Sequence, residues 1–341
     1  MMLWLILPLA FIASFALTAV LRAYALQRSL IDVPNARSSH SVPTPRGGGV
    51  AIVLVVAVLL SILAGSGLAD MSLAWAVLGA GSAVAVLGFA DDHGHIAARW
   101  RLLGHFMAAA WALFWLGGLP PVQLFGSTLE LGWLGHLLAL VFIIWLLNLY
   151  NFMDGIDGIA SIEAICVCAG ALLCYAVAGA VGKALGYVEW LLIAAVVGFT
   201  CWNFPRARIF MGDAGSGFLG VTLGILALSA AAASRQLLWS WLILLGVFIV
   251  DATFTLLRRL LRGEAVYQAH RSHAYQAAAR RFGRHAPVTV AVGLINLGWL
   301  LPWAVGVALG GVDGATAMLI AYVPLLCLCL WLGAGAPETG G

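Results

Sequence analysis

Charge is what this chain has least of. Charged residues make up 9% of its 341 positions and hydrophobic residues 63%, with a mean hydropathy of +1.03. No soluble domain hides that much apolar surface, so lipid is the expected solvent for most side chains. The net charge of +3 is too small to mark a nucleic-acid binder. The six cysteines lie in or beside apolar runs and lack metal-ligand spacing, so they read as small core residues. The N-terminus has the apolarity of a signal peptide but no basic leading segment, because its first Arg, Arg22, follows the apolar run. It reads as a first membrane span. Internal repeats and low-complexity stretches are missing. Short turns such as GSGLAD and ASRQ leave no room for a domain on the outer side. A single membrane domain over 1–341 is the simplest organisation.

What is present are apolar runs long enough to cross a bilayer as helix. Eleven are expected, at 2–24, 47–66, 72–90, 102–119, 131–150, 159–179, 187–204, 216–233, 237–257, 287–309 and 314–334. The fold class is therefore all-α and polytopic. Eleven spans put residues 25–46, 91–101, 151–158, 205–215 and 258–286 on one side, with 15 of the 17 basic residues when Arg22 is included. The other side keeps Lys183 and Arg235. Positive loops stay cytoplasmic, so the N-terminus is expected outside, the C-terminus inside, and those five loops in the cytoplasm.

Five of the 14 acidic residues fall in three of these cytoplasmic loops, 91–101, 151–158 and 205–215. They are Asp91 and Asp92 in GFADDHGH, Asp154 and Asp157 in NLYNFMDGIDG, and Asp213 in FMGDAGSG. Carboxylates beside hydrocarbon are costly unless used or paired. Gathered at one face, they suit a divalent cation and a phosphate-bearing ligand. Each also has a plainer reading as a helix cap or turn residue. Asn148 and Asn151 add amide oxygens, which hard cations accept, and nearby glycines allow close backbone approach.

WNFPRARIFMGDAGSG adds Asn203, Arg206, Arg208, Phe210 and a Gly-rich turn into a helix, a setting that favours phosphate. Phe210 suits either base stacking or an interfacial anchor. In PTPRGGG, Arg46 suits either a phosphate or lipid headgroups. HRSH supplies His270, Arg271 and His273; no nearby Cys or acid completes a zinc site, and phosphate is the better match. Asp251, inside the ninth run, either pairs with a basic residue of the site or satisfies a neighbouring helix.

The PRGGG opening, the DD pair, NFMDGIDG, NFP…FMGDAGS and the late His loop occur together, in that order, over nearly the whole chain. In this the chain closely resembles the polyprenyl-phosphate N-acetylhexosamine-1-phosphate transferases. That family includes the enzymes that start O-antigen, enterobacterial common antigen and teichoic acid synthesis, and the phospho-MurNAc-pentapeptide transferase. The resemblance implies a UDP-N-acetylhexosamine donor, an undecaprenyl phosphate acceptor and Mg2+, with Mn2+ as an alternative. It implies Asn151 and Asp213 as metal ligands, and Asp91 and Asp92 as the acidic pair that organises acceptor phosphate and metal. Asp154, Asp157 and Asn203 stand on the nucleotide side, Phe210 at the uracil, and His270, Arg271 and His273 at the pyrophosphate. The peptidoglycan enzyme carries a run of adjacent histidines where this chain has HRSH, which favours the O-antigen-initiating branch and a donor such as GlcNAc or FucNAc. A bacterial inner-membrane location follows, with surrounding lipid and no nucleic acid as partners; a homodimer stays open. The competing class is an ion-coupled secondary transporter, whose sites lie near the midplane rather than at one face.

Overall fold

The structure is a computed structural model that describes residues 2–34, 39–40, 42–94, 96–180, 185–264 and 270–337. Lys183 and His95, used in the sequence reading, lie outside the described residues. The chain begins with α1 (Met2–Gln27), a two-residue pairing of β1 (Ile31–Asp32) with β2 (Thr44–Pro45), then α2 (Val50–Gly65), α3 (Met71–His93) and α4 (Ala98–Leu116). A small hairpin of β3 (Val122–Leu124) and β4 (Ser127–Leu129) leads to α5 (Gly132–Met153), α6 (Ile159–Val177), α7 (Tyr187–Asn203) and α8 (Asp213–Ala233). Then come α9 (Arg235–Leu244), α10 (Gly246–Leu261), α11 (Ala274–Phe282) and α12 (Ala286–Ile295). A π-helical turn (Asn296–Leu300) joins α12 to α13 (Leu301–Ala308), and α14 (Gly314–Trp331) follows.

Every apolar run expected to span has a helical counterpart, but the runs are not equal. Among the described residues seven helices are long and apolar enough to cross a membrane, or eight if α9 and α10 form one span bent by 68°. α2 and α7 are apolar but shorter, at 16 and 17 residues. The break at Leu245 divides what the sequence presents as one continuous run.

Outward-facing large side chains are apolar around the bundle, Trp4, Val58, Phe114, Trp133 and Leu330 among them, as expected where lipid is the solvent. Of the cysteines, Cys166, Cys168, Cys174 and Cys329 are buried. Cys201 and Cys327 face outward, so they are not core residues; a thiol is apolar enough to sit at such a surface.

α8 is the axis of the fold, buried along nearly its whole length and packed on α3, α5 and α9. Small residues let it approach so closely. A Cβ at Gly88 of α3 would lie 2.5 Å from the Asp213 carbonyl carbon and the Ala214 nitrogen. A Cβ at Gly49 would lie 2.5 Å from Gly215 Cα, so PRGGG and DAGSG are pressed together. Backbone hydrogen bonds tie the same segments: Phe210 N to Pro45 O (2.8 Å), Gly48 N to Phe210 O and Gly49 N to Met211 O (both 2.9 Å).

Gly88→Ala should therefore force α3 from α8 at a cost of about 1–3 kcal/mol, the usual penalty for overpacking. Gly65→Ala, where nothing lies within 4 Å, should leave the thermal midpoint in detergent unchanged. Equal midpoints for the two variants would refute the close-packing account.

Candidate functional site

The end of α3, the start of α8 and the loops after α5 and α7 meet at one end of the bundle. Asp91 and Asp92 are not loop residues: both sit on the last turn of α3. Asp213 is the first residue of α8, after Gly212, whose φ of 77° suits a residue without a Cβ. The Asp91 carboxylate accepts from Ile96 N at 2.7 Å and pairs with Arg101 at 2.5 Å. The same guanidinium nitrogen lies 3.7 Å from Asp213 Oδ2, so Arg101 bridges the two acids. Asp92 is buried; Arg46 Nε lies 3.8 Å from its Oδ1 and Arg46 Nη2 donates to its carbonyl. Its other carboxylate oxygen, Oδ2, is buried without a hydrogen-bond partner among the described residues.

Two cavities meet here. One, of about 160 Å3, has mostly apolar walls from α3, α4, α5 and α8, with Asp91, Arg101 and His105 among its polar groups. The other, of about 300 Å3, is polar and takes in Arg46, Asp92, Asp154, Asn203, Phe210 and Gln276. Both are lined by Asn151 and Asp213. Asn151 Nδ2 lies 3.3 Å from Ser216 Oγ, and its side chain also bonds to Asp213. Desolvation, then the carboxylates of Asp213, Asp92 and Asp157, hold the Asp154 carboxyl well above the usual range. Such repulsion is relieved by a cation.

The donors suit a hard divalent ion. All are oxygens, and Asp92 Oδ2 lacks another partner. No three His, Cys, Asp or Glu side chains among the described residues form a metal-binding group. With fewer protein ligands, waters or a bound phosphate would have to complete the shell of any ion held here.

Other expected residues are placed differently. Asn203 is spent on the backbone: its Oδ1 accepts from Gly158 N and its Nδ2 donates to Ile209 O, both at 2.9 Å. It lines the polar cavity while joining the two motif loops. Asp157 pairs with His285 at 3.1 Å, at the start of α12. Phe210 packs against His40, with ring centroids 4.8 Å apart. His270, Arg271 and His273 do not line either cavity. His273 is 1% exposed and lies 3.3 Å from Asp251. Desolvation, then His273 and Arg259, push the His270 imidazole down to about 3, so it is neutral at ordinary pH.

Asp251 now has a role. It accepts from Ala274 N at 2.8 Å and Tyr275 N at 2.9 Å, which fixes the first turn of α11. α11 in turn places Gln276 in the polar cavity, and Tyr275 donates to Phe152 O at 3.0 Å. Arg101, His105, Asp32, His40 and Gln276 line the cavities without having been singled out in the sequence. Only Arg101 left a signal, as one of two arginines just before the fourth apolar run.

Residues 74–231 match the family "Glycosyl transferase family 4". The chain is 31% identical over 266 residues to the "Probable undecaprenyl-phosphate N-acetylglucosaminyl 1-phosphate transferase" of Bacillus subtilis, covering 76% of this chain and 72% of the relative. It is 28% identical to the decaprenyl-phosphate N-acetylglucosaminephosphotransferase of Mycolicibacterium smegmatis, over 79% and 73%. It is 32% identical to the phospho-N-acetylmuramoyl-pentapeptide-transferase of Desulforudis audaxviator, over 83% and 87%.

The Asp157–His285 contact makes a pH prediction. Its hydrogen bond to Asp157, the largest influence, raises the His285 pKa above the usual 6.5. The stabilisation is therefore complete below the unfolded-state pKa and is lost as pH rises through the folded-state value. Thermal unfolding from about pH 6 to about pH 9 should cost the native chain more than His285→Gln. Parallel curves would show that the pair does not tie α12 to the loop.

Proposed function

Because the chain belongs to the polyprenyl-phosphate N-acetylhexosamine-1-phosphate transferases, we propose that it transfers N-acetylhexosamine 1-phosphate from a UDP-sugar to undecaprenyl phosphate. The products are undecaprenyl-diphospho-N-acetylhexosamine and UMP. The carrying observation is the pair of cavities, one apolar-walled and one polar, that share Asn151 and Asp213. A lipid phosphate and a sugar nucleotide need two such compartments with one reacting point between them. We assign the eleven-run topology to it, with the N-terminus outside and the site facing the cytoplasm of a bacterial inner membrane. O-antigen initiation, or that of a related surface glycan, is the role we favour; GlcNAc is the sugar in the names of two of the relatives.

An oxygen of the acceptor phosphate attacks the sugar-bound phosphorus of the donor, and the bond to the UMP oxygen breaks. One phosphoanhydride replaces another, so catalysis rests on positioning and charge neutralisation. When bound by Asp213 and Asn151, Mg2+ supplies neutralisation of the donor diphosphate. Arg101 holds Asp91 and Asp213 in register. Asp91 stands in the apolar-walled compartment to orient the acceptor, and Asp92, anchored by Arg46, stands on the polar side. A phosphate monoester has a second pKa near ~6 and is mostly ionised at neutral pH, so no strong base is required.

Asp213→Asn in purified enzyme with saturating Mg2+ should lower UMP release by roughly a hundredfold or more, the scale of one transition-state electrostatic contact. Near-native turnover would reject the ligand assignment. Arg101→Gln should lower kcat by about tenfold or more through loss of a charge-assisted hydrogen bond, and Arg101→Lys should recover part of it. If Arg101→Gln turns over normally, the bridge between the two acids has no catalytic part.

A further inference from the structure

At Phe210 the polar cavity adjoins a larger cleft, of about 1060 Å3; the two share Ser39, His40 and Phe210 as walls. Their charges are opposite. The polar cavity has four carboxylates, Asp32, Asp92, Asp154 and Asp213, against Arg46 and His40. The cleft has four guanidiniums: Arg206 and Arg208 from the loop after α7, and Arg280 and Arg284 from α11 and the turn beyond it. Its one carboxylate, Asp157, is held by His285 at 3.1 Å. All four arginines are exposed. Arg206 and Arg284 make no hydrogen bond or ion pair among the described residues.

Like charges drawn together from two distant segments repel one another, and the proximity is favourable when an anion is shared. The neighbouring acid-lined cavity presents the reverse difficulty, since a donor diphosphate approaching it meets carboxylates. We propose that the arginine cleft is an anion antechamber, whose field draws the nucleotide diphosphate donor toward the catalytic cavity and retains the nucleotide monophosphate as it leaves. This rests on the donor class proposed above. Exposed guanidiniums around an open cleft act through their field more than through fixed bidentate contacts. Their reach in physiological salt is about 8 Å, enough for adjoining compartments.

Two double variants of the full-length protein test this: Arg206→Gln with Arg284→Gln, and Arg206→Lys with Arg284→Lys. UMP release from UDP-GlcNAc is followed at varied donor, and unchanged thermal midpoints confirm folding. The glutamine pair should raise the donor KM and the inhibition constant of UMP together, by about 3–10-fold at low ionic strength, the lower end of focusing effects. Its kcat and acceptor KM should not change. The gap should shrink in ~0.5 M NaCl, where the screening length is a few ångströms. The lysine pair should behave as native. Unchanged donor KM and UMP inhibition in the glutamine pair at low salt would overturn the proposal, as would a lysine pair as impaired as the glutamine pair. UMP binding measured in parallel separates this inference from the donor assignment. Binding that weakens in the glutamine pair supports the antechamber even if the native chain never turns over UDP-GlcNAc; binding untouched in that pair overturns it.

Discussion

The site depends on how closely α3 and α8 approach at one end of the bundle. Without a side chain at Gly88, the first residues of α8 rest directly on α3. That contact sets Asp92 beside Asp213 and buries it. It also aims the Asp213 and Ala214 amides of the α8 N-terminus at Asp92, where the helix dipole favours negative charge. Arg46 and Arg101 add positive charge from two other segments. The carboxylates outnumber these compensating groups. A bundle in lipid dilutes such an imbalance poorly, so the excess negative charge remains available to a cation.

The two cavities then divide by the character of their walls. The smaller cavity is walled by α3, α4, α5 and α8, helices that also carry outward-facing apolar residues such as Val86, Met107 and Val141. In the reaction proposed above, a prenyl chain would lie against that surface with its phosphate at Asp213 and Asn151. The polar cavity is built from loops that the backbone bonds of Pro45, Gly48 and Gly49 hold against Phe210 and Met211. Because these loops are held through their backbones, the Arg46 and Phe210 side chains can both line this cavity.

Much of this was legible in the sequence because lipid imposes a strong signal: apolar runs marked every large helix, and rare carboxylates marked the site. What was not legible has physical causes. The 68° break at Leu245 lies in a run apolar on both sides, so hydropathy cannot register it. The roles of Asn203 and Asp251 depend on long-range contacts with Gly158 and with the first turn of α11. Buried Glu163 and Glu189 sit within apolar helices and are satisfied in part by Asn296 and Tyr175, partners far from each in sequence or one helix on. Gln276, His40 and Asp32 were single polar residues with no spacing to mark them.

The late histidine loop lies outside the two cavities but helps to shape one of them. In the sequence, HRSH stood as a direct contact for pyrophosphate and as a guide to the donor. In the structure His273 is packed against Asp251, and His270 bonds to Ser272 at 3.0 Å. The residue that reaches the cavity is Gln276, three positions after His273, and its placement depends on the turn that Asp251 fixes. Replacing residues in this loop would therefore alter the cavity through the position of α11 as well as through any contact of their own.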